Sequence, residues 1–129
     1  NPKSYISIID EPATILKKCK SAVTDSENRI AFEEGRFGMN NLLTIYSAMT
    51  GKTIEQAVAE FEGQGYGTFK TAVAEAIIAE LTPLQEEYRR LMADPAYLRD
   101  VYTRSALAAR EIACKTLARV HERIGFVAR

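Results

Sequence analysis

Apolar residues recur at three- and four-residue spacing along most of the chain, the period of an α-helix packed along one side. Asp10 reads as a helix cap, with Glu11 and Pro12 in the first turn and an apolar stripe at Ile15, Leu16, Cys19, Ala22 and Val23. A second helix starts at Gly38 or Met39, carries Leu42, Leu43, Ile45, Tyr46 and Met49, and stops at Gly51. Thr53 caps a short third helix through Ile54, Ala57, Val58 and Phe61, and Thr53-Ile54-Glu55-Gln56 has the form of a capping box. Thr68 caps a long helix from Phe69 to about Ala93, striped by Phe69, Ala72, Val73, Ala76, Ile77, Leu81, Leu84, Tyr88 and Leu91. Pro83 predicts a kink near Ala79 to Leu81. Asp94 and Pro95 stop that helix and start the last one, Ala96 to about Ile124. There Leu98, Tyr102, Ala106, Ala109, Ala113, Leu117, Val120 and Ile124 are expected to face a core; Gly125 ends the helix and Phe126 packs back. No useful strand alternation occurs. The pattern predicts an all-α bundle of five or six helices: an extended linker over residues 1–9, then one helical domain over 10–129.

Between the third and fourth helices lies Phe61-Glu62-Gly63-Gln64-Gly65-Tyr66-Gly67-Thr68-Phe69-Lys70. Glycines at alternate positions cost a helix about 1 kcal/mol each relative to alanine. The stretch is therefore an elbow, with a helix stop at Gly63 and with Tyr66 and Phe69 in the core. A nucleotide loop would follow a buried strand, and here a helix precedes it. The longest loop is the polar stretch Thr24 to Phe37, which holds a short apolar patch at Ile30 and Phe32. Long loops in compact domains often carry function.

The 129 residues suffice for one domain with a real core, and 47% hydrophobic content is in the globular range. No apolar run approaches the roughly 20 residues that span a bilayer. The first residues do not read as a signal peptide, and the missing initiator methionine predicts a piece of something longer. Cys19 and Cys114 are far apart, with no CxxC, and His121 is the only histidine, so no metal site is expected. Reduced thiols are expected, with Cys114 a small core residue. Net charge is zero, but Thr53 to Tyr88 holds seven acids and one base, and Arg99 to Arg129 seven bases and three acids. A neutral total argues against coating nucleic acid by bulk charge, while the uneven spread permits a local phosphate contact.

Catalysis is poorly supplied, and no catalytic residue is expected. No histidine sits beside a nucleophile, and Glu33-Glu34 and Glu86-Glu87 read as solvated charge rather than an acid/base pair. HExxH, GxSxG and GxxxxGK[ST] are all missing. The residues by themselves describe a binding or coupling domain.

Four stretches carry a family resemblance. Lys17-Lys18-Cys19-Lys20-Ser21-Ala22-Val23-Thr24-Asp25-Ser26 resembles KKIKSAVTDS. Gly38-Met39-Asn40-Asn41-Leu42-Leu43-Thr44-Ile45-Tyr46-Ser47 resembles GxSNLLxIYS. Glu62 to Lys70 resembles the end of YEGKGYGxFK, and Pro83 to Tyr88 resembles PIQERY. In this order and spacing they are similar to the C-terminal helical domain of bacterial tryptophanyl-tRNA synthetases, over nearly the whole chain. The tyrosyl enzymes share the architecture and fit less well.

The resemblance implies that Asn1, Lys3, Ser4 and Tyr5 directly follow the KMSKS loop, as a hinge beside the ATP site. The nucleotide-binding fold, with its ATP and tryptophan sites, would lie outside this chain, which alone should not activate tryptophan. The parent enzyme is implied to join tryptophan to its tRNA with ATP and Mg²⁺, in the cytoplasm, as a homodimer. The isolated chain is expected to be monomeric and to hold no cofactor. Its partners would be the anticodon end (CCA) of tryptophan tRNA and the enzyme's own nucleotide-binding domain.

For RNA contact the candidates are the backbone N–H groups and amides at Gly38, Asn40 and Asn41, with Arg36 just before them and Lys17, Lys18 and Lys20 for phosphates. Asn40 stands where the family pattern has serine. Arg104, Lys115 and Arg119 form a lower-ranked alternative face. A helical protein-interaction module, docking through its last helix, is the reading from a different class.

Overall fold

The computed structural model describes residues 4–126 and shows five helices and no strand among them. The chain divides into two compact units, one up to Glu86 and one from Glu87. Asn1 and Lys3, two of the expected hinge residues, lie outside the described residues.

In the first unit, α1 (Pro12–Lys20) buries Ile15 and Cys19. Asp10 is not its cap. Pro12 occupies the first turn, Glu11 takes the cap position, and Asp10 stands one residue too early. Its carboxylate instead accepts the Ser7 N–H at 2.9 Å and the Lys18 ammonium at 2.5 Å. Val23, expected on the stripe, is exposed, because the helix ends at Lys20 and the face it would have shared ends with it.

After the loop, α2 (Phe37–Thr50) buries Met39, Leu42, Leu43 and Tyr46, and ends at Gly51, whose φ of 70° suits glycine. Then α3 (Ile54–Glu60) opens on the predicted capping box. Gln56 N–H donates to Thr53 Oγ1 at 3.3 Å, and Thr53 N–H donates to Gln56 Oε1 at 2.9 Å. The elbow turns at Gly63, where φ is 74°.

The fourth helix, α4 (Tyr66–Met92), starts three residues earlier than expected, so Thr68 lies inside its first turn and is not its cap. The Tyr66 N–H donates to Asn28 Oδ1 at 3.3 Å; the distant loop supplies the end group that local sequence did not. Tyr46, Phe61 and Phe69 meet edge to face, with centroids 5.0 to 6.0 Å apart, and tie α2, the elbow and α4 into one core. The helix runs unbroken through Pro83. Leu84, expected on the stripe, is half exposed. Gln85 is buried in its place, because its amide donates to the carbonyls of Ile8 and Asp10 at 2.7 and 3.0 Å. The entering segment is thus fastened to α4 by a buried amide and to α1 by the Asp10–Lys18 pair.

In the second unit, Tyr88 near the end of α4 is also about half exposed. Asp94 caps α5 (Pro95–Ile124), accepting the Tyr97 N–H at 2.9 Å. The helix is unbroken, closes at Gly125, and Phe126 turns back beside His121 at 5.6 Å between rings. The expected core face is not buried: none of Leu98, Tyr102, Ala106, Ala109, Ala113, Leu117, Val120 and Ile124 is buried, and Cys114 is exposed rather than a core residue. Periodicity identifies a helix and its apolar side; what covers that side is a separate question of tertiary packing.

Candidate nucleic-acid interface

The loop before α2 is built around one side chain. Arg36 is buried, with 8% of its surface exposed. Its Nε and Nη2 donate to both carboxylate oxygens of Asp25 at 2.9 and 3.0 Å. Nη2 also donates to the Arg29 carbonyl at 2.6 Å and to the Tyr66 hydroxyl at 2.7 Å. Tyr66 in turn donates to Asp25. The Arg36 hydrogen bond, followed by that of Tyr66, holds the Asp25 carboxyl far below the ordinary carboxylate range. Arg36 is therefore committed to the protein's own loop, where the sequence suggested an RNA contact. Its planar fork crosslinks positions 25, 29 and 66.

The other candidates separate into engaged and open groups. Gly38 is a packing residue: a Cβ there would lie 2.1 Å from the Val23 carbonyl oxygen. Asn40 uses its amide on Glu33, donating to the carbonyl at 2.7 Å and accepting the N–H at 3.2 Å. Lys18, a candidate for phosphate contact, is largely covered, and its ammonium lies 5.0 Å from the Tyr5 ring centroid. Lys17, Lys20 and Asn41 are exposed, and among the described residues none of them has an ion-pair or hydrogen-bond partner through its side chain. Ser4 and Tyr5 are exposed as well. Of the alternative basic face, Arg104 and Lys115 are paired one turn back, with Asp100 and Glu111.

Two concave surfaces flank the elbow within the first unit. One, shallow and hydroxyl-bearing, is lined by Lys20, Tyr66, Thr68, Lys70, Thr71 and Glu75, and the Lys70 ammonium donates to the Ala22 carbonyl at 2.7 Å. The other is a cleft of about 730 Å³ between loop residues 28–33 and the helix α3–elbow segment. Phe32, half exposed, stands in its wall. Sequence reasoning did not single out Phe32 as a site residue. The signal available was an aromatic inside a polar loop. Among the described residues no group of three His, Cys, Asp or Glu side chains is placed to hold a metal ion, and no helix is long and apolar enough to cross a membrane.

With this geometry in view, comparison with known proteins gives a consistent result. The family described as tRNA synthetases class I (W and Y) matches residues 1–82, and the chain belongs to that family. Within it the likeness runs to the tryptophan enzymes. The chain is 48% identical over 126 residues to a tryptophan–tRNA ligase of Wolinella succinogenes, and 45% identical over 126 residues to one of Bacillus anthracis. These alignments cover 98% and 97% of this chain and 38% of each relative, so the chain spans well under half of their length. The fold is similar to the crystal structure of tryptophanyl-tRNA synthetase from Mycoplasma pneumoniae, with a TM-score of 0.70 and 25% identity, covering 98% of this chain and 39% of that one.

Proposed function

We infer that this chain is the part of a tryptophan–tRNA ligase that holds the anticodon end of tryptophan tRNA and passes domain motion to the nucleotide-binding part. The observation that carries the reading is a likeness to tryptophan–tRNA ligases that extends along nearly the entire chain. Lys17 and Lys20, exposed on α1, would neutralise phosphates, and Asn41 would offer its amide to a base edge. Arg36, Gly38, Asn40 and Lys18 act behind them, fixing the shape of the loop and of the segment before α1. The coupling role is supported by residues 4–10. A pull on the chain ahead of Ser4 reaches α1 through Asp10–Lys18 and α4 through Gln85.

In the parent enzyme, ATP with Mg²⁺ activates tryptophan in the nucleotide-binding part, in a cytoplasmic homodimer. No step of that chemistry is assigned to the residues described here, and this chain alone is monomeric and inactive in the proposal.

The test is fluorescence anisotropy with a labelled tryptophan-tRNA anticodon stem-loop. Binding should weaken as salt rises, with a slope of about 0.7 per phosphate neutralised on single-stranded RNA. Lys17→Ala with Lys20→Ala should lower that slope; a slope unchanged by both substitutions would contradict the assignment of these lysines. The unburied apolar side of α5 favours a second reading, a protein-docking helix. That reading predicts a concentration-dependent dimer in sedimentation and no RNA binding.

A further inference from the structure

Phe32 and Glu62 line the same cleft, one from loop 28–33 and the other from the elbow. At about 730 Å³ the cleft is in the size range of ligand sites, roughly 300–1,000 Å³. Ile30, Ile54 and Val58 supply apolar walls, and Phe32 is half exposed. The charged groups are out of balance: three carboxylates, Glu33, Glu55 and Glu62, share the lining with one cation, Arg29. Arg29 is already held by both carboxylate oxygens of Glu33 at 2.7 Å. Its own N–H, followed by the Thr53 hydroxyl, holds the Glu55 carboxyl below its usual range, so Glu55 stays charged. Glu62 uses its N–H on the Ala59 carbonyl at 3.4 Å, while its exposed carboxylate has no ion-pair or hydrogen-bond partner among the described residues. Gln64 donates its amide to the Glu60 carbonyl at 3.0 Å, and its own amide oxygen is open to a donor.

An anion would meet uncompensated carboxylates here, and a purely apolar molecule would leave Glu62 and Gln64 unmatched. A cation carried on an apolar body suits both parts of the lining. We propose that the cleft binds an organic cation, an ammonium or guanidinium group on an aliphatic or aromatic body, with the charged head on Glu62 and the body against Phe32 and the apolar walls. Hydrogen bonds from a cationic N–H to a carboxylate are the stronger kind, and a guanidinium can make two at once. The face of an aromatic ring attracts a cation as well as an apolar body. A free organic cation and the arginine side chain of a partner protein offer the same chemistry. The site shares no residue with Lys17, Lys20 and Asn41, so it stands or falls apart from the RNA-binding reading.

The experiment follows the amide chemical shifts of the isotope-labelled chain during titration with benzamidine, benzylamine, benzyl alcohol and benzoate, and with a blocked tripeptide of arginine between two alanines. Both small cations should give saturable shifts confined to residues 28–33 and 54–65. Benzyl alcohol should bind about 10-fold more weakly, and benzoate should not bind. Glu62→Gln, which keeps the size of an exposed side chain, should weaken the cations about 10-fold and leave benzyl alcohol unchanged. Phe32→Leu should weaken both cations about 2- to 5-fold. Tighter binding of the tripeptide than of benzamidine identifies a partner's arginine as the source, and the reverse identifies a free organic cation. Cations that bind no better than benzyl alcohol, shifts that lie elsewhere in the chain, or an affinity unchanged in Glu62→Gln overturn the inference.

Discussion

Arg36 and Asp25 face each other through two parallel hydrogen bonds, at 2.9 and 3.0 Å, across a loop that has no regular secondary structure of its own. The pair explains how a long polar loop holds one shape between α1 and α2. It also closes on Tyr66, the first residue of α4, so loop and elbow are one construction. Substituting Arg36 with Ala takes the paired cation from Asp25 and leaves the loop only the Tyr66 hydroxyl to join Asp25 to the Arg29 carbonyl. The melting temperature should fall by something on the order of 10 °C. Lysine should not rescue it, since a point charge cannot reproduce the fork. Thermal denaturation of both variants checks this.

The same pair sets an acid limit. Asp25 has its carboxyl held below the ordinary range by Arg36 first and Tyr66 second, and Asp10 is lowered by Lys18. A depressed folded pKa means that the unfolded chain binds the proton more tightly. The stabilisation is complete above the unfolded value, about 3.9, and drains away as pH falls below it. The melting temperature should be level near neutrality and drop steeply below about pH 4. Asp25→Asn should be less stable at pH 7 and lose less on acidification. Melts from pH 7 to pH 2.5 decide it.

Two glycines should respond in opposite senses. Gly38→Ala drives a methyl into the Val23 backbone, with only 2.1 Å available, so α2 or the loop must shift and stability falls by several kcal/mol. Gly67, in the first turn of α4, has open space around its missing Cβ and no positive φ. Gly67→Ala should be neutral or stabilising by about 0.4–1 kcal/mol. Urea titrations of both variants give the comparison.

Gln85→Leu should loosen the entering segment locally. It removes the donors to the Ile8 and Asp10 carbonyls, a loss of about 1–3 kcal/mol if those groups stay buried. Hydrogen exchange should quicken in residues 7–12 more than in α2.

The two thiols should differ in reactivity. Cys114 is exposed, whereas Cys19 is buried and its burial raises its pKa. A thiol reagent should titrate one cysteine per native chain and the second only on unfolding. Prompt reaction of both would contradict the packing of α1.

What the sequence revealed was mostly local. The Thr53–Gln56 box, the Asp94 cap with Pro95, and the stop at Gly51 involve partners within a few residues, and each stands where the pattern predicts. The start of α4 was misplaced because its terminal N–H is met by Asn28, 38 residues away. The partners of Arg36, named from sequence only as a candidate RNA contact, are hidden for the same reason: they are scattered from position 25 to 66. Gly38 was read for its backbone N–H, and the close approach of Val23, 15 residues earlier, gives it a packing role that the local sequence does not carry. Along α5 the apolar period was legible, and its burial was not, because a stripe carries no information about what packs on it.

The central claim is that the helical part engages the anticodon end rather than another part of tryptophan tRNA. The most direct measurement is competition: labelled full-length tryptophan tRNA bound to this chain, challenged with either its anticodon stem-loop or its acceptor minihelix. The account predicts that the stem-loop displaces the tRNA and that the minihelix at equal concentration does not. Displacement by the minihelix alone would contradict it.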